Sequence, residues 1–237
     1  MPQIPLWFQA VKKASPERSG IMNLPLILGQ VALLVISGRL VTRFGQYAAY
    51  MLASAVLATV GSGLMSTFTI NTGSGEWISY QLINGMGRGI GFQMPLVAAQ
   101  VFLAPRDIPV GAAVMTFFQS FGGAIFVSVG QNVFTTQLLR ALREHVPHIR
   151  AEIIMEAGST GFRNIVPEDL VLQVESAYNT AVQACFYVAV AVSAASIIGV
   201  VCTEWKSIHE KNVEEAVEEI EIPTRRNESQ ATLTHET

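Results

Sequence analysis

The distribution of charge along this chain restricts its fold more than any other feature of the sequence. Charged residues make up 14% of the 237, whereas about 25% is usual in a soluble domain. They are also segregated: residues 21–139 carry six, residues 176–203 carry none, residues 140–175 carry ten and residues 204–237 carry thirteen. Charge distributed in this way is typical of a chain that repeatedly enters and leaves a bilayer.

The uncharged runs are long enough to cross a membrane. Four runs contain no charge, residues 21–38, 44–75, 108–139 and 176–203, and a fifth, residues 77–105, is interrupted only by Arg88 and has Pro95 as a possible kink. An apolar stretch of about 18 residues or more indicates a transmembrane helix. A buried soluble core is the alternative, but five such runs in so short a chain argue against it. We therefore predict an all-α polytopic membrane bundle of about five transmembrane helices, four of them within residues 21–139 and the last within 176–203.

Two segments differ from these runs. Residues 140–175 contain ten charges and two prolines, with apolar residues spaced as in short amphipathic helices, for example Leu170, Val171 and Val174. We expect a loop domain outside the bilayer. Residues 204–237 form an acidic tail with a net charge of −5 and too little apolar surface for a core.

Several function classes find no support in the sequence. Outside the tail the net charge is only +2, so the clustered basic face of a nucleic-acid-binding protein is not expected. Cys185 and Cys202 would lie about 25 Å apart on one helix, and His145 and His148 lack a third ligand. Because no nucleophile, base and orienting group converge, we predict neither an enzyme nor a bound cofactor or metal.

Arg88 is the only full charge deep in a predicted span. An arginine at this depth costs about 2.5 to 3.5 kcal/mol on insertion scales, so it should face protein or a water-filled cavity. With Gln81 and Asn84 it occupies positions i, i+3 and i+7 of one helical stripe, which makes these three candidates for a substrate path. Alternatively, Arg88 pairs with a carboxylate or with helix carbonyls as a structural contact.

Buried amides supply further candidates. Gln93 and Gln100 form a second stripe beside Pro95, and Gln119 lies on the next predicted span. Such amides can orient a polar organic ligand or hydrogen-bond a neighbouring helix. The glycines of NGMGRGIGF lack the spacing of a nucleotide-binding loop, so we expect them to allow close helix packing.

Charge alone does not orient the spans. Alternate loops carry seven Lys and Arg residues on one side and seven on the other, so the positive-inside rule gives no preference.

The segment SGRLVTRFGQY, between the first two predicted spans, resembles the loop signature of the major facilitator superfamily in its degenerate second-half copy. Gly38, Arg43 and Gly45 match the signature, whereas Thr42 stands where the first-half copy has an aspartate. The segments IPLWFQAVK, SGIMNLPLILG, TGSGEW, GRGIGFQMPLVAAQ, FFQSFGGAIFVSVGQNVF and AYNTAV follow in order. Over residues 3–210 the series resembles the C-terminal portion of fungal fourteen-span drug and toxin efflux carriers, the drug:proton antiporters that include mycotoxin exporters.

This resemblance implies efflux of small organic molecules across a membrane, with protons and a lipid bilayer as partners. We expect the plasma membrane, and the vacuolar membrane is the alternative. It also implies that residues 1–20 are the end of a preceding span and an outer loop, that residues 140–175 are extracellular and that residues 204–237 are cytoplasmic. The family's transport path lies between two halves, so an N-terminal half is an implied partner.

No Asp or Glu lies in the interior of a predicted span, so a proton-coupling carboxylate is expected in that other half. The alternative is a truncated membrane protein that does not transport, and that either associates with a separate N-terminal half or is a piece of a longer gene.

Overall fold

The structure, a computed structural model, describes residues 3–147 and 149–202, and these residues are helices and the turns between them. The helices are α1 (Gln3–Ala10), α2 (Pro16–Met22), α3 (Leu24–Phe44), α4 (Tyr47–Ser66), α5 (Ser74–Gly91), α6 (Met94–Phe102), α7 (Ile108–His145), α8 (Ala151–Gly161) and α9 (Glu168–Val201), with a 3-10 turn at Phe162–Asn164. The described part contains no strand. The all-α prediction is confirmed.

Among the described residues, four stretches are long and apolar enough to cross a membrane: Pro16–Phe44, Tyr47–Ser66, Ile108–His145 and Glu168–Val201. Each overlaps one of the four uncharged runs of the sequence. Helix α7, with 38 residues, is about 57 Å long at 1.5 Å per residue, so it extends well beyond a hydrocarbon core of about 30 Å.

The fifth predicted span, residues 77–105, is divided in two. Helix α5 ends at Gly91 and α6 begins at Met94, and neither is among the four stretches of spanning length and hydropathy. Proline clashes with the carbonyl four residues earlier, and Pro95 places that clash at Gly91, the last residue of α5. The expected kink is therefore a break between two helices.

Helix α5 packs between α3 and α4, and its glycines make this possible. A Cβ atom added at Gly85 would lie 2.2 Å from the Leu26 carbonyl oxygen of α3, and one added at Gly87 would lie 2.4 Å from the Ala58 nitrogen of α4. Backbone atoms cannot move away as a flexible side chain can. The prediction that these glycines allow close helix packing is confirmed.

The remaining long helices extend the bundle from α4. Helix α4 packs against α9, α9 packs against α7, and α6 contacts both α7 and α4. Two cavities lie along α9 in this arrangement.

The larger hydrophobic core lies at the end of the bundle where α4 terminates. It gathers α1, the first half of α9 and the α8 region around Trp7 and Phe68, whose rings stack with centroids 4.7 Å apart. A smaller cluster with Tyr47 and Met94 lies at the opposite end, where α4 begins.

The neighbouring long helices extend into residues 140–175, where a loop domain was predicted. Helix α7 continues to His145 and α9 already begins at Glu168, so Leu170, Val171 and Val174 belong to α9 rather than to a separate short helix. The connection retains α8 and the 3-10 turn. The predicted cytoplasmic tail, residues 204–237, lies outside the described residues.

Candidate functional site

Arg88 lies in the last turn of α5, where its half-buried side chain lines two cavities. The α7–α9 cavity has a volume of about 350 Å³ and is bounded by α1, α5, α7 and α9. The α4–α9 cavity has a volume of about 460 Å³ and is bounded by α3, α4, α5 and α9. Both volumes fall within the range of small-molecule sites, about 300 to 1,000 Å³.

The guanidinium of Arg88 is not neutralised by its surroundings. It forms no hydrogen bond or ion pair with another described residue, and the residues that line the two cavities include no Asp or Glu. The structural alternative for Arg88, pairing with a carboxylate or with helix carbonyls, is therefore not realised within the described chain. An unpaired cation at this depth needs water or a ligand.

Gln3 also contributes a polar side chain to the α7–α9 cavity, whose lining includes Ser193 and Cys185 as well. Its side chain is 4% exposed, and Nε2 has no hydrogen-bond partner among the described residues. Nearby, the Cys185 thiol donates to the Gly130 carbonyl over 3.4 Å. Sequence reasoning missed Gln3 because it precedes the first recognisable span.

Gln81 and Asn84 lie on the same helix as Arg88, but their side chains point into helix contacts rather than into the cavities. Both side chains are fully buried, and neither lines the two cavities. Gln81 Nε2 donates to the Met22 carbonyl over 3.1 Å, and Asn84 Nδ2 donates to Ser62 Oγ over 2.8 Å. These bonds hold α5 to its neighbours, so the geometry favours packing, and a substrate contact at these two positions stays a prediction.

The three remaining glutamines lie near the break between α5 and α6. Gln93 and Gln100 are exposed, and Gln93 lies at the break itself. Gln119 on α7 donates to the Phe92 carbonyl over 3.5 Å. None of the three lines either cavity, and their place in a substrate path also stays a prediction.

The loop motif has a clear local explanation. Gly45 caps α3 in the left-handed conformation, with φ of 73°, and its N–H donates to the Val41 carbonyl over 2.8 Å. Glycine is favoured in this conformation because it has no Cβ. Arg43 is exposed in the last helical turn, where a cation complements the helix dipole, and Gly38 lies one and a half turns earlier.

Sequence reasoning missed a network of polar side chains at one end of the bundle. This is the end that contains the larger hydrophobic core, and the network closes it. Arg163 of the 3-10 turn pairs with Glu175 of α9 over 2.8 Å and donates to the carbonyls of Gln9 and Ala10 on α1. Glu175 is only 4% exposed, although it was expected in a loop. The apolar spacing of Val171, Val174 and Tyr178 could have placed it on a buried face of α9.

Glu175 is buried on α9, one residue before the uncharged run at residues 176–203. Its pairing with Arg163 indicates a structural contact.

The described part of the chain contains no group of three side chains that could hold a metal ion. His145 Nδ1 contacts the Ala141 carbonyl at 2.8 Å, and His148 lies outside the described residues.

The chain is similar to several fungal membrane transporters. It is 45% identical over 205 residues to the efflux pump roqT of Penicillium rubens, a match of 86% of this chain and 38% of that pump. It is 45% identical over 213 residues to the MFS-type efflux pump MFS1 of Trichophyton rubrum, covering 90% of this chain and 40% of the pump. The MFS-type transporter astH of Aspergillus oryzae is 42% identical over 205 residues, with 86% and 36% covered.

The chain thus spans about two fifths of the length of the curated relatives it matches. No family model matches it, and no solved structure matches it. The relatives and the four apolar helices together make it a multi-pass membrane protein.

Proposed function

We propose that this chain belongs to the same family as the fungal efflux pumps of the major facilitator superfamily and forms part of a carrier that exports small organic molecules. The observation that carries the proposal is identity of 41–45% along 86–90% of the chain to proteins named as efflux pumps and transporters. The unpaired Arg88 between two cavities supports it, because a transport path needs polar groups that face open space inside the bundle.

The test replaces the matching segment of the Penicillium rubens pump with this chain, in a yeast strain that lacks its own drug exporters. Retention of three fluorescent molecules is then measured: cationic rhodamine 123, neutral Nile red and anionic fluorescein. We expect the chimera to lower the cellular content of at least one dye relative to the empty host. The parent pump serves as the positive control, and this chain alone should leave retention unchanged because it spans two fifths of a carrier.

One outcome would exclude export by this segment. The chimera would reach the cell surface in the same amount as the parent pump, yet the cells would retain all three dyes as the empty host does. Surface amount is measured by labelling intact cells.

We also propose that helix α7 contacts a complementary set of helices, the N-terminal half expected from the sequence. None of the most apolar 18 residues of α7 is buried, and its exposed aromatic side chains include Phe117, Phe118, Phe121 and Phe126. Co-expression of this chain with the remaining part of the Penicillium rubens pump should recover both in one complex. Replacement of the four phenylalanines by alanine should reduce recovery. Separate migration of the two pieces would exclude the association.

Proton coupling and the plasma membrane are further parts of the proposal. Of the described acidic residues, Glu175 alone is buried, and it is engaged by Arg163, so we expect the coupling carboxylate in the complementary helices. Dye export by the chimera should then cease when a protonophore collapses the gradient. A fluorescent fusion of the chimera should label the cell surface rather than the vacuole.

A further inference from the structure

The α7–α9 cavity contains two hydrogen-bond donors that nothing in the described chain satisfies. One is the Arg88 guanidinium, which has no counter-charge. The other is Gln3 Nε2, which belongs to a side chain only 4% exposed and has no partner. The two residues come from different helices, α5 and α1, and line the same space. Gln3 Nε2 is thus a buried donor without a partner, and the half-buried Arg88 is a cation without a counter-charge in the same lining, so the two together favour a ligand group that accepts hydrogen bonds and carries negative charge.

The rest of the lining limits what that group can be. The wall is largely apolar, with Phe126, Val127, Val188 and Val192 among its residues, and it contains no carboxylate. A cationic ligand would be repelled by Arg88 and would find no counter-charge. A neutral apolar ligand would leave both donors unsatisfied. An organic anion with an apolar body matches both parts of the lining.

We propose that the α7–α9 cavity binds organic anions, with the anionic oxygens accepting hydrogen bonds from Arg88 and Gln3 and the apolar body packed against α7 and α9. This inference rests on the proposed function, since it names the chemical class of molecule that the carrier takes. The cavity volume of about 350 Å³ lies at the small end of ligand sites, which favours a compact body of two or three rings. Arginine is suited to the role because its planar guanidinium can donate two parallel hydrogen bonds to a carboxylate.

Two probes of the same shape test the proposal. The 237-residue chain is purified into lipid nanodiscs, and the binding of 2-naphthoate and of its neutral analogue 2-naphthamide is measured by calorimetry. Hydrogen bonds that involve a charged group are worth about 1.5 to 3 kcal/mol, so naphthoate should bind at least about tenfold more tightly than naphthamide. Equal affinity for the two probes overturns the proposal.

Substitutions test whether Arg88 causes the preference for naphthoate over naphthamide. Arg88→Gln should abolish it, and Arg88→Lys should retain part of it because the charge remains while the fork is lost. Arg39→Gln is the matched control, since Arg39 is exposed on α3 and outside the cavity lining. A preference for naphthoate that survives Arg88→Gln overturns the proposal.

A second variant keeps the test decisive if Arg88→Gln does not fold. Gln3→Glu introduces a carboxylate into the lining that Gln3 shares with Arg88, and its negative charge disfavours a bound anion, so naphthoate affinity should fall by about tenfold or more while naphthamide affinity is unchanged. Unaltered naphthoate binding in this variant overturns the proposal.

The two levels of inference fail separately. If the chimera exports a dye but the chain shows no preference for naphthoate, the anion site is wrong and the transport proposal stands. If the preference is present but the chimera retains every dye, the transport proposal is wrong and the anion site stands.

Discussion

Nη2 of Arg163 lies 2.8 Å from Oε1 of Glu175, and this ion pair connects the 3-10 turn to α9 beneath the segment that follows α1. The arginine side chain is 21% exposed and the glutamate side chain 6% exposed. Lys13 also lies 4.0 Å from Oε1 of Glu175, but its side chain is 68% exposed, so Arg163 is the buried partner. Removal of Glu175 leaves the arginine charge uncompensated, and the closure of this end of the bundle therefore depends on the glutamate.

We expect Glu175→Gln to lower the free energy of unfolding by about 3 kcal/mol, the lower end of the range for breaking a buried pair. Arg140→Gln is the control: Arg140 pairs with Glu144 over 3.1 Å, but both side chains are more than half exposed, so the loss should stay below about 0.5 kcal/mol. Unfolding of the purified chain in detergent provides the measurement. Equal effects of the two substitutions would show that the Arg163–Glu175 pair is not structural.

Gly89→Leu should prevent normal packing of α3 against α5. A Cβ at Gly89 would lie 2.2 Å from the Gln30 carbonyl oxygen, and overpacking of this kind typically costs about 1 to 3 kcal/mol or more. Gly63→Leu on α4 is the matched control, because no atom lies within 4 Å of an added Cβ there. The folded fraction is measured by size-exclusion chromatography, and a folded Gly89→Leu protein would contradict the packing.

Gly45→Ala should destabilise the turn between α3 and α4. With φ of 73° at this position, an alanine costs about 1 to 2 kcal/mol, whereas Gly45→Asn should cost less because asparagine tolerates the left-handed region. The thermal unfolding midpoints of the two variants should therefore rank glycine, asparagine, alanine. An alanine variant as stable as the original would show that the positive φ is not required.

Substitution of Asn84 should change stability, whereas substitution of Arg88 should change dye selectivity. Asn84→Ala breaks a bond to Ser62, and coupling energies of such interhelical bonds average about 0.6 kcal/mol, so stability should fall while dye selectivity of the chimera is kept. Arg88→Gln should change selectivity with little loss of stability. A double-mutant cycle with Ser62→Ala measures the coupling. A change of dye selectivity in Asn84→Ala would instead support the substrate-path role predicted from the sequence.

The orientation implied by the family resemblance can be tested by accessibility. In a chain with Cys185→Ser and Cys202→Ser, single substitutions Thr42→Cys and Glu144→Cys place thiols on exposed positions at the two ends of the bundle. We expect an impermeant maleimide to label Glu144→Cys in intact cells and Thr42→Cys only after permeabilisation. The reverse pattern would invert the topology.

The spans were predictable because the bilayer limits composition directly. A charge in hydrocarbon is costly wherever it occurs. Helices of spanning length therefore overlap the uncharged runs at residues 44–75, 108–139 and 176–203. The break at residues 92–93 was less visible. Pro95 predicts a disturbance, but whether the helix bends or divides depends on its neighbours.

The candidate site was only partly predictable. Arg88 was identified because a lone charge in an apolar run is conspicuous, whereas Gln81 and Asn84 share its stripe in sequence and point into helix contacts in the structure. Gln3 carries no pattern that would single it out. Glu175 appeared to be a loop residue because it borders an uncharged run, and only the position of Arg163 shows why it is buried.

Hydropathy and local turn chemistry act on neighbouring residues, and for this reason the amino-acid sequence is sufficient to predict an all-α membrane bundle and, through its motif series, the family that the chain resembles. Only the packed helices show which polar groups face a partner and which face open space. That distinction depends on how α1, α5, α7 and α9 pack, and packing joins residues as distant in the chain as Gln3, Arg88 and Cys185.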